Sequence, residues 1–414
     1  MRLLYDLGIV LYGILLRVIA PFHSKAKLWV AGRRGILQQL EQSIPQGIEP
    51  IWFHFASLGE FEQGRSVIEA IKAKYPHEKI LITFFSPSGY EIRKNFVLAD
   101  YVFYLPEDTS YNARKFLQLV HPKLAIFTKY EYWYHYFQEL RTRQIPLLMI
   151  SAIFRTDQVF FKKYGGFFRK ILFNVNYFFT QNTPSIYLLK SIKIQQAGLA
   201  GDTRFDRVAA LAAVDPQIDI IERFVGKQQV LVAGSTWPAD ESLITELSEH
   251  YAFWKFIIAP HEVDAAHIES IMSLYPKALR YSKLKDYDND DVQLAQVLII
   301  DNIGMLSSLY YYADVAYIGG GFGAGIHNTL EAATYGKPIL FGPRYEKFQE
   351  AIDLIELGAA FSFGTKEELA KIFQALQLTE KRTIAANAAG DYVQQRKGAT
   401  QIIMKYIETE KLLS

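Results

Sequence analysis

From residue 51 onward, short uninterrupted apolar runs alternate with amphipathic stretches of helical period, and the whole series occurs twice. A strand with one wet face alternates in polarity, whereas a strand covered on both faces does not. Continuous runs at 51–56, 79–85, 101–105, 124–128 and 146–151 therefore predict a parallel sheet flanked by helices. The helical pattern occupies 61–74, 111–119 and 132–142, and Pro87-Ser88-Gly89 opens another helix. Runs at 176–181 and 196–198 close the first series, and Asp215-Pro216 is the expected linker. A second series follows at 229–233, 254–259, 297–301, 314–318 and 338–341, with 285–291 read as a charged surface loop. The chain has 414 residues, too many for one ordinary core. The expected fold class is α/β, with two Rossmann-like domains, 46–212 and 217–414, facing across a cleft.

Composition removes several function classes. The 45 basic and 43 acidic residues leave a net charge of +2, which makes no electrostatic case for nucleic acid. Without a cysteine, the chain can have no disulfide framework, thiol catalysis or Cys-ligated metal. The N-terminus carries an uncharged stretch of ten residues between Asp6 and Arg17, followed by Lys25, Lys27, Arg33 and Arg34. A spanning helix needs about 20 apolar residues, so this segment crosses a bilayer only with Asp6 and Arg17 at its interfaces. A secretory leader and a core helix are the competing readings. Against the leader, only Arg2 precedes the run and no small-x-small cleavage site follows. The expectation is an anchor helix at 1–22, inserted or interfacial, with the basic cluster toward anionic headgroups on the cytoplasmic side.

Ligands of parallel α/β sheets bind at the carboxyl ends of strands, which directs attention to the residues just after each run. Tyr317-Ile318 leads into five glycines between Gly319 and Gly325, with Gly320 and Gly321 central, then His327-Asn328-Thr329-Leu330-Glu331. Glycines admit a phosphate close to the backbone, and a helix starting near Asn328 would offer unpaired N–H donors. Asn328 and Glu331 also have the spacing of a capping box, but capping needs neither the glycines nor His327. Gly336-Lys337-Pro338 ends that helix. In the first half, Ser57-Leu58-Gly59-Glu60 puts a carboxylate at a strand-to-helix turn, where it can take a proton from an attacking hydroxyl; a carboxylate that only complements the helix dipole has the same position. Glu131 follows the run at 124–128, and Arg204 in Gly201-Asp202-Thr203-Arg204-Phe205-Asp206 can neutralise a departing phosphate. Ser235 and Thr236 form a small-residue turn suited to phosphate oxygens, ahead of Asp240 and Glu241; Pro260-His261 closes a later strand. Each of these is, taken singly, also an ordinary α/β turn.

The ordered set Ser57–Glu60, Pro87–Gly89, Tyr130-Glu131-Tyr132-Trp133, Gly201–Asp206, Gly234–Thr236, Pro260-His261, Asp301–Gly304, Gly319–Gly321 and His327–Glu331 resembles the 3-deoxy-D-manno-octulosonic acid (Kdo) transferases of lipopolysaccharide assembly. The resemblance covers nearly the whole chain. It implies a GT-B glycosyltransferase that uses CMP-Kdo as donor and a lipid A precursor (lipid IVA) as acceptor, inverts the anomeric centre, needs no metal or other cofactor, and works at the cytoplasmic face of the inner membrane. Glu60 then matches the proton acceptor, and Glu131 and Arg204 match transition-state stabilisers. Pro260, His261, Ile303, Gly304, Met305 and Asn328–Glu331 fall where the family binds CMP. The chain departs from the pattern at Arg204, where Lys is usual, at Met305, where an acid is usual, and around Lys129-Tyr130-Glu131, where the family has Glu-Thr-Glu. The alternatives are a UDP-sugar-dependent GT-B transferase, a nucleotide-sugar epimerase, which needs no anchor, and a nucleotide-sensing scaffold, which needs no acids at strand ends.

Overall fold

The computed structural model describes residues 1–413 and divides into two compact units: Met1–Arg207 together with the chain from Lys397 on, and Val208–Arg396. The strands of the first are β1 (Ile51–Phe55), β2 (Ile80–Phe84), β3 (Tyr101–Tyr104), β4 (Leu124–Thr128), β5 (Leu147–Ala152), β6 (Tyr177–Thr180) and β7 (Ala197–Leu199). Those of the second are β8 (Gln229–Thr236), β9 (Trp254–Pro260), β10 (Leu279–Arg280), β11 (Val297–Ile299), β12 (Val315–Ile318), β13 (Ile339–Phe341) and β14 (Ala360–Ser362). Each set forms one seven-stranded sheet, in the orders β3-β2-β1-β4-β5-β6-β7 and β10-β11-β9-β8-β12-β13-β14. The paired strands are parallel. β1, β2, β4 and β5 are buried along their whole length, as continuous apolar runs require. Both strand orders reverse direction once, between β1 and β4 and between β8 and β12. These are the switch points at which a doubly wound sheet opens a crevice beyond its strand ends.

Three sequence expectations need correction. The first is the second domain at 217–414, because the last helix, Ala399–Thr409, belongs to the first unit. Its Ile403, Met404 and Ile407 share a core with Phe53, Ile82 and Val67. Asp206 accepts from the backbone N–H groups of Gly398 and Thr400, and Thr400 Oγ1 donates to Ser66 Oγ at 2.9 Å. The crossing between units at residue 207 also precedes the expected linker at Asp215. The second is the segment 285–291, which is no loop. A 3-10 turn at Tyr281–Asp286 and a helix at Asn289–Leu294 occupy it, with Asp288 capping through Asp291 N–H at 2.8 Å and Leu284 and Val292 buried. The third is that the short strands β10 and β14 carry too few residues to read as apolar runs.

The N-terminal helix is Arg2–Ile19, and among the described residues no helix is long and apolar enough to cross a membrane. One side of it is fastened to the first unit: Tyr5 hydroxyl donates to Asp108 at 2.5 Å, Asp6 meets His135 at 2.6 Å, and Arg17 pairs with Glu107 at 2.9 Å. The other side leaves Leu3, Leu4, Leu7, Leu11, Ile14, Leu15 and Val18 exposed, continued by Phe22 at 90% exposure. The expected basic cluster shrinks, since Arg33 is buried. Its guanidinium lies 3.9 Å from the Trp29 ring centroid and donates to the carbonyls of Leu105 and Phe85 at 2.9 and 2.8 Å. Lys25, Lys27 and Arg34 stay exposed.

Candidate active site

In the first unit the polar side chains gather at the β1/β4 switch point. The helix leaving β1 is Leu58–Lys74, three residues earlier than its apolar pattern suggests, so Glu60 lies in the first turn. Ser57 hydroxyl donates to the Glu60 carboxylate, which is partly exposed. After β4, Lys129 takes a left-handed conformation (φ 55°) that turns the chain and delivers Glu131. Glu131 Oε2 accepts from Trp133 Nε1 at 2.8 Å and is 3.1 Å from His54 Nε2, a fully buried β1 residue. Arg204 begins the helix Arg204–Ala212 and is clamped by Asp202: Nε and Nη2 reach Oδ2 at 3.0 and 2.9 Å, and its backbone N–H reaches Oδ1 at 2.9 Å. Gln63 Nε2 donates to the same Asp202 carboxylate at 3.0 Å. Burial alone would raise the Asp202 carboxyl, but Arg204 and, more weakly, Lys129 outweigh it and hold the group below its ordinary value. Asp202 thus fixes the direction in which Arg204 presents its charge.

In the second unit the glycine loop after β12 meets the carboxyl end of β8, where Ser235 and Thr236 lie within the strand at a bulge rather than in the expected turn. A Cβ on Gly319 would lie 2.2 Å from the Ser235 carbonyl oxygen, and Gly320 has φ +92°, so neither position accepts a side chain without displacement. Ser235 itself is left-handed at φ 53°. The loop is pinned by buried Asp240, whose Oδ2 accepts from Gly320 N–H at 2.9 Å and Trp237 N–H at 3.0 Å, while Oδ1 accepts from Tyr317 hydroxyl at 2.8 Å. Burial raises the Asp240 carboxyl against the pull of those three donors. The Gly320 amide is therefore committed inside the protein rather than left open toward a phosphate. Thr236 is buried too, its hydroxyl donating to Glu241 at 3.0 Å.

Three rings then stack in order. His261 lies 4.8 Å from Trp237 and 4.4 Å from His327, at interplanar angles of 28° and 27°. Trp237 Nε1 donates to His327 Nε2 at 3.1 Å, which makes Nε2 an acceptor and leaves the ring proton on Nδ1. Burial, and then the neighbouring His261, push His327 down from 6.5 to about 4. The unfolded chain therefore takes up a proton at this residue between those values, while the folded chain does not. Stability is expected to fall as pH drops from about 6.5 toward 4. His327→Gln, which keeps an acceptor for Trp237, should lose less stability between pH 7 and 4.5 than the parent in urea titrations.

The remaining expected residues separate. Asn328 is exposed; its Oδ1 accepts from Leu330 N–H at 3.1 Å and its Nδ2 donates to Glu331 at 2.9 Å. The helix that follows spans only Leu330–Ala333, with Thr329 at its N-cap and no side-chain capping bond, so the Asn-x-x-Glu spacing is not a capping box. Leu330 is a core side chain and offers only backbone, whereas Thr329 is buried with its hydroxyl unpartnered. Pro260 ends β9, and His261 N–H donates to Thr236 carbonyl at 3.0 Å, which ties that strand end to the end of β8. Ile303 and Gly304 lie exposed in the turn after β11, and Met305 caps the helix Leu306–Leu309. Glu262, Asp264 and His267 bring ligand atoms within 4.8 Å of one another, but Asp264 caps the helix Ala265–Leu274 and His267 is bonded to Glu241. A separate cavity of about 720 Å³, lined by Tyr275, Leu279 and Val297, opens at the amino ends of β10 and β11. Reasoning from strand ends missed His54, Asp202 and the loop-pinning role of Asp240. A single histidine inside the apolar run Ile51–Phe55 was the available signal for the first.

Two doubly wound parallel units, each with its polar cluster at a switch point, define the GT-B class. A family model described as 3-deoxy-D-manno-octulosonic-acid transferase (kdotransferase) matches residues 30–207. The 3-deoxy-D-manno-octulosonic acid transferase of Rickettsia felis is 30% identical over 332 residues, 77% of this chain and 69% of that one. That of Haemophilus influenzae is 24% identical over 398 residues, 92% of this chain and 90% of its own. The crystal structure of UDP-GlcNAc 2-epimerase from Neisseria meningitidis bound to UDP-GlcNAc matches with a TM-score of 0.60 at 17% identity, over 87% of this chain and 100% of that one, a likeness of fold alone. The chain belongs to the Kdo transferase family and is a glycosyltransferase of lipopolysaccharide biosynthesis.

Proposed function

We propose that the chain moves Kdo from CMP-Kdo to the lipid A precursor lipid IVA in a single displacement with inversion, without a metal, at the cytoplasmic face of the inner membrane. The observation that carries the reading is a first-turn carboxylate, Glu60, at the switch point of a family member's first unit. Glu60 accepts the proton of the attacking sugar hydroxyl as its oxygen bonds the anomeric carbon and CMP departs. One base suffices for such a displacement, unlike the carboxylate pair of a hydrolase. Arg204, held by Asp202, takes up charge on the leaving phosphate, and Glu131 faces the sugar as positive charge develops on it. The second unit holds CMP near Ser235 and Thr236 at the end of β8, the His261–His327 pair and the Asn328–Glu331 turn. Incubation with CMP-Kdo and tetraacylated lipid A precursor, followed by mass analysis of the lipid, tests the reaction. Conversion of free UDP-sugar with no change in the lipid would favour an epimerase instead.

The attachment follows from the apolar stripe on helix Arg2–Ile19. A helix not long and apolar enough to span, fastened along one side and apolar along the other, suits the membrane interface. Each large apolar side chain moved from water contributes on the order of 2 kcal/mol. Leu7→Asp with Leu11→Asp should abolish co-sedimentation with anionic phospholipid vesicles and leave turnover of detergent-dispersed acceptor largely intact. Undiminished sedimentation would remove this helix from the role.

A further inference from the structure

His54 touches no solvent, yet side chains engage both of its ring nitrogens. Nδ1 lies 2.8 Å from Thr83 Oγ1, and Nε2 lies 3.1 Å from Glu131 Oε2. The arrangement is built into the sheet, because His54 and Thr83 are register partners across β1 and β2, and Phe127 is the partner of His54 on β4. The Phe127 ring packs 4.9 Å from the imidazole and confines it. Trp52, two residues earlier on the same face of β1, donates its Nε1 proton to Thr83 Oγ1 at 2.8 Å.

Proton counting along this line sets the tautomer. Indole N–H only donates, so Thr83 oxygen accepts from Trp52 and has one proton of its own to give. Its near acceptor is His54 Nδ1 at 2.8 Å; the alternative, Phe53 carbonyl, is 3.4 Å away. With Nδ1 accepting, the imidazole proton sits on Nε2 and donates to Glu131. Trp133 Nε1 reaches the same Oε2. Both donors therefore grip one carboxylate oxygen and leave the other, Oε1, without a donor among the described residues.

We propose that His54 is a positioning residue: through Nε2–H it holds Glu131 in the orientation that presents Oε1 to the transferred sugar, with Thr83 and Trp52 fixing the tautomer that makes this possible. The inference rests on the reading of Glu131 as a transition-state stabiliser. A buried neutral imidazole needs a partner at each nitrogen whatever its role; what points to positioning is that the partner at Nε2 is Glu131.

The test uses the full chain, with CMP-Kdo and lipid A precursor as substrates and the thermal midpoint of each variant as folding control. His54→Asn, whose amide reaches only the Nδ1 position, should lower kcat by about 10- to 100-fold with donor KM unchanged. His54→Gln, which restores an N–H near Nε2, should recover most of the loss. Thr83→Val should lower kcat by roughly 10-fold, and Thr83→Ser should rescue it. In the parent labelled with ¹⁵N-histidine, the buried resonance that disappears in His54→Asn should report a protonated Nε2. Adding His54→Asn to Glu131→Gln should cost nothing further if the histidine acts through that carboxylate. Additive losses, an Nδ1–H tautomer, or no rescue by Gln and Ser overturn the proposal. Full activity of Glu131→Gln alongside a defective His54→Asn overturns instead the role of Glu131, and assigns His54 to packing.

Discussion

Glu60→Gln should bind CMP with parental affinity and transfer Kdo about a hundred- to ten-thousand-fold more slowly, the range that a positioned general base contributes. The substitution changes one atom type and keeps an oxygen that accepts from the Ser57 hydroxyl, so the fold should be undisturbed. CMP affinity is expected to hold because the residues assigned to the nucleotide lie in the other unit. Calorimetric titration with CMP and a single-turnover assay separate the two quantities. Parental turnover in this variant would remove Glu60 from the chemistry and leave it as a carboxylate that complements the helix dipole.

Asp240→Ala should destabilise the second unit by about 3 kcal/mol, since it orphans two backbone N–H groups and one phenol in a buried setting. Nucleotide affinity should fall with it, because that carboxylate ties Gly320 to the end of β8. Asp240→Asn is the informative companion. Its carbonyl can accept both backbone protons while its amide donates to Tyr317, whose hydroxyl reverses, so a loss of about 1 kcal/mol is expected. Burial already raises the Asp240 carboxyl, in keeping with a site where a neutral amide is tolerated. Urea unfolding and CMP titration of the two variants provide the comparison; equal losses for Ala and Asn would show that the negative charge itself matters.

Both sheets were legible because strands buried on two faces leave an unmistakable record: Ile51–Phe55 and Leu147–Ala152 hold apolar runs that no exposed element would keep. Carboxyl-end reasoning then reached Glu60, Glu131, Arg204 and His261, which do stand after β1, β4, β7 and β9. What stayed hidden was set by contacts rather than by local pattern. The helix after β1 begins at Leu58 although Gly59 weakens the helical signal there. The charges at 285–291 are exposed as expected, yet the flanking Leu284 and Val292 are buried and the segment takes up helical turns instead of a loop. Asp202 and Asp240 stand beside motifs the sequence displays, but their roles depend also on Gln63, 139 residues away, and Gly320, 80 residues away, which no local pattern reveals. His54 is the clearest case: its two partners are 29 and 77 residues away in the chain, and only the strand register brings them together.

The return of helix Ala399–Thr409 to the first sheet makes the second unit an insertion in the chain that forms the first. During synthesis the ribosome releases Ile51, Phe53 and Ile82 long before it releases Ile403 and Ile407, the residues that complete their core. The first unit must therefore wait, part of its apolar face uncovered, while the whole second unit is made and folds. Deleting residues 397–414 would thus injure the first unit, most of which lies far from the cut in sequence, and a self-sufficient second unit should end near Arg396.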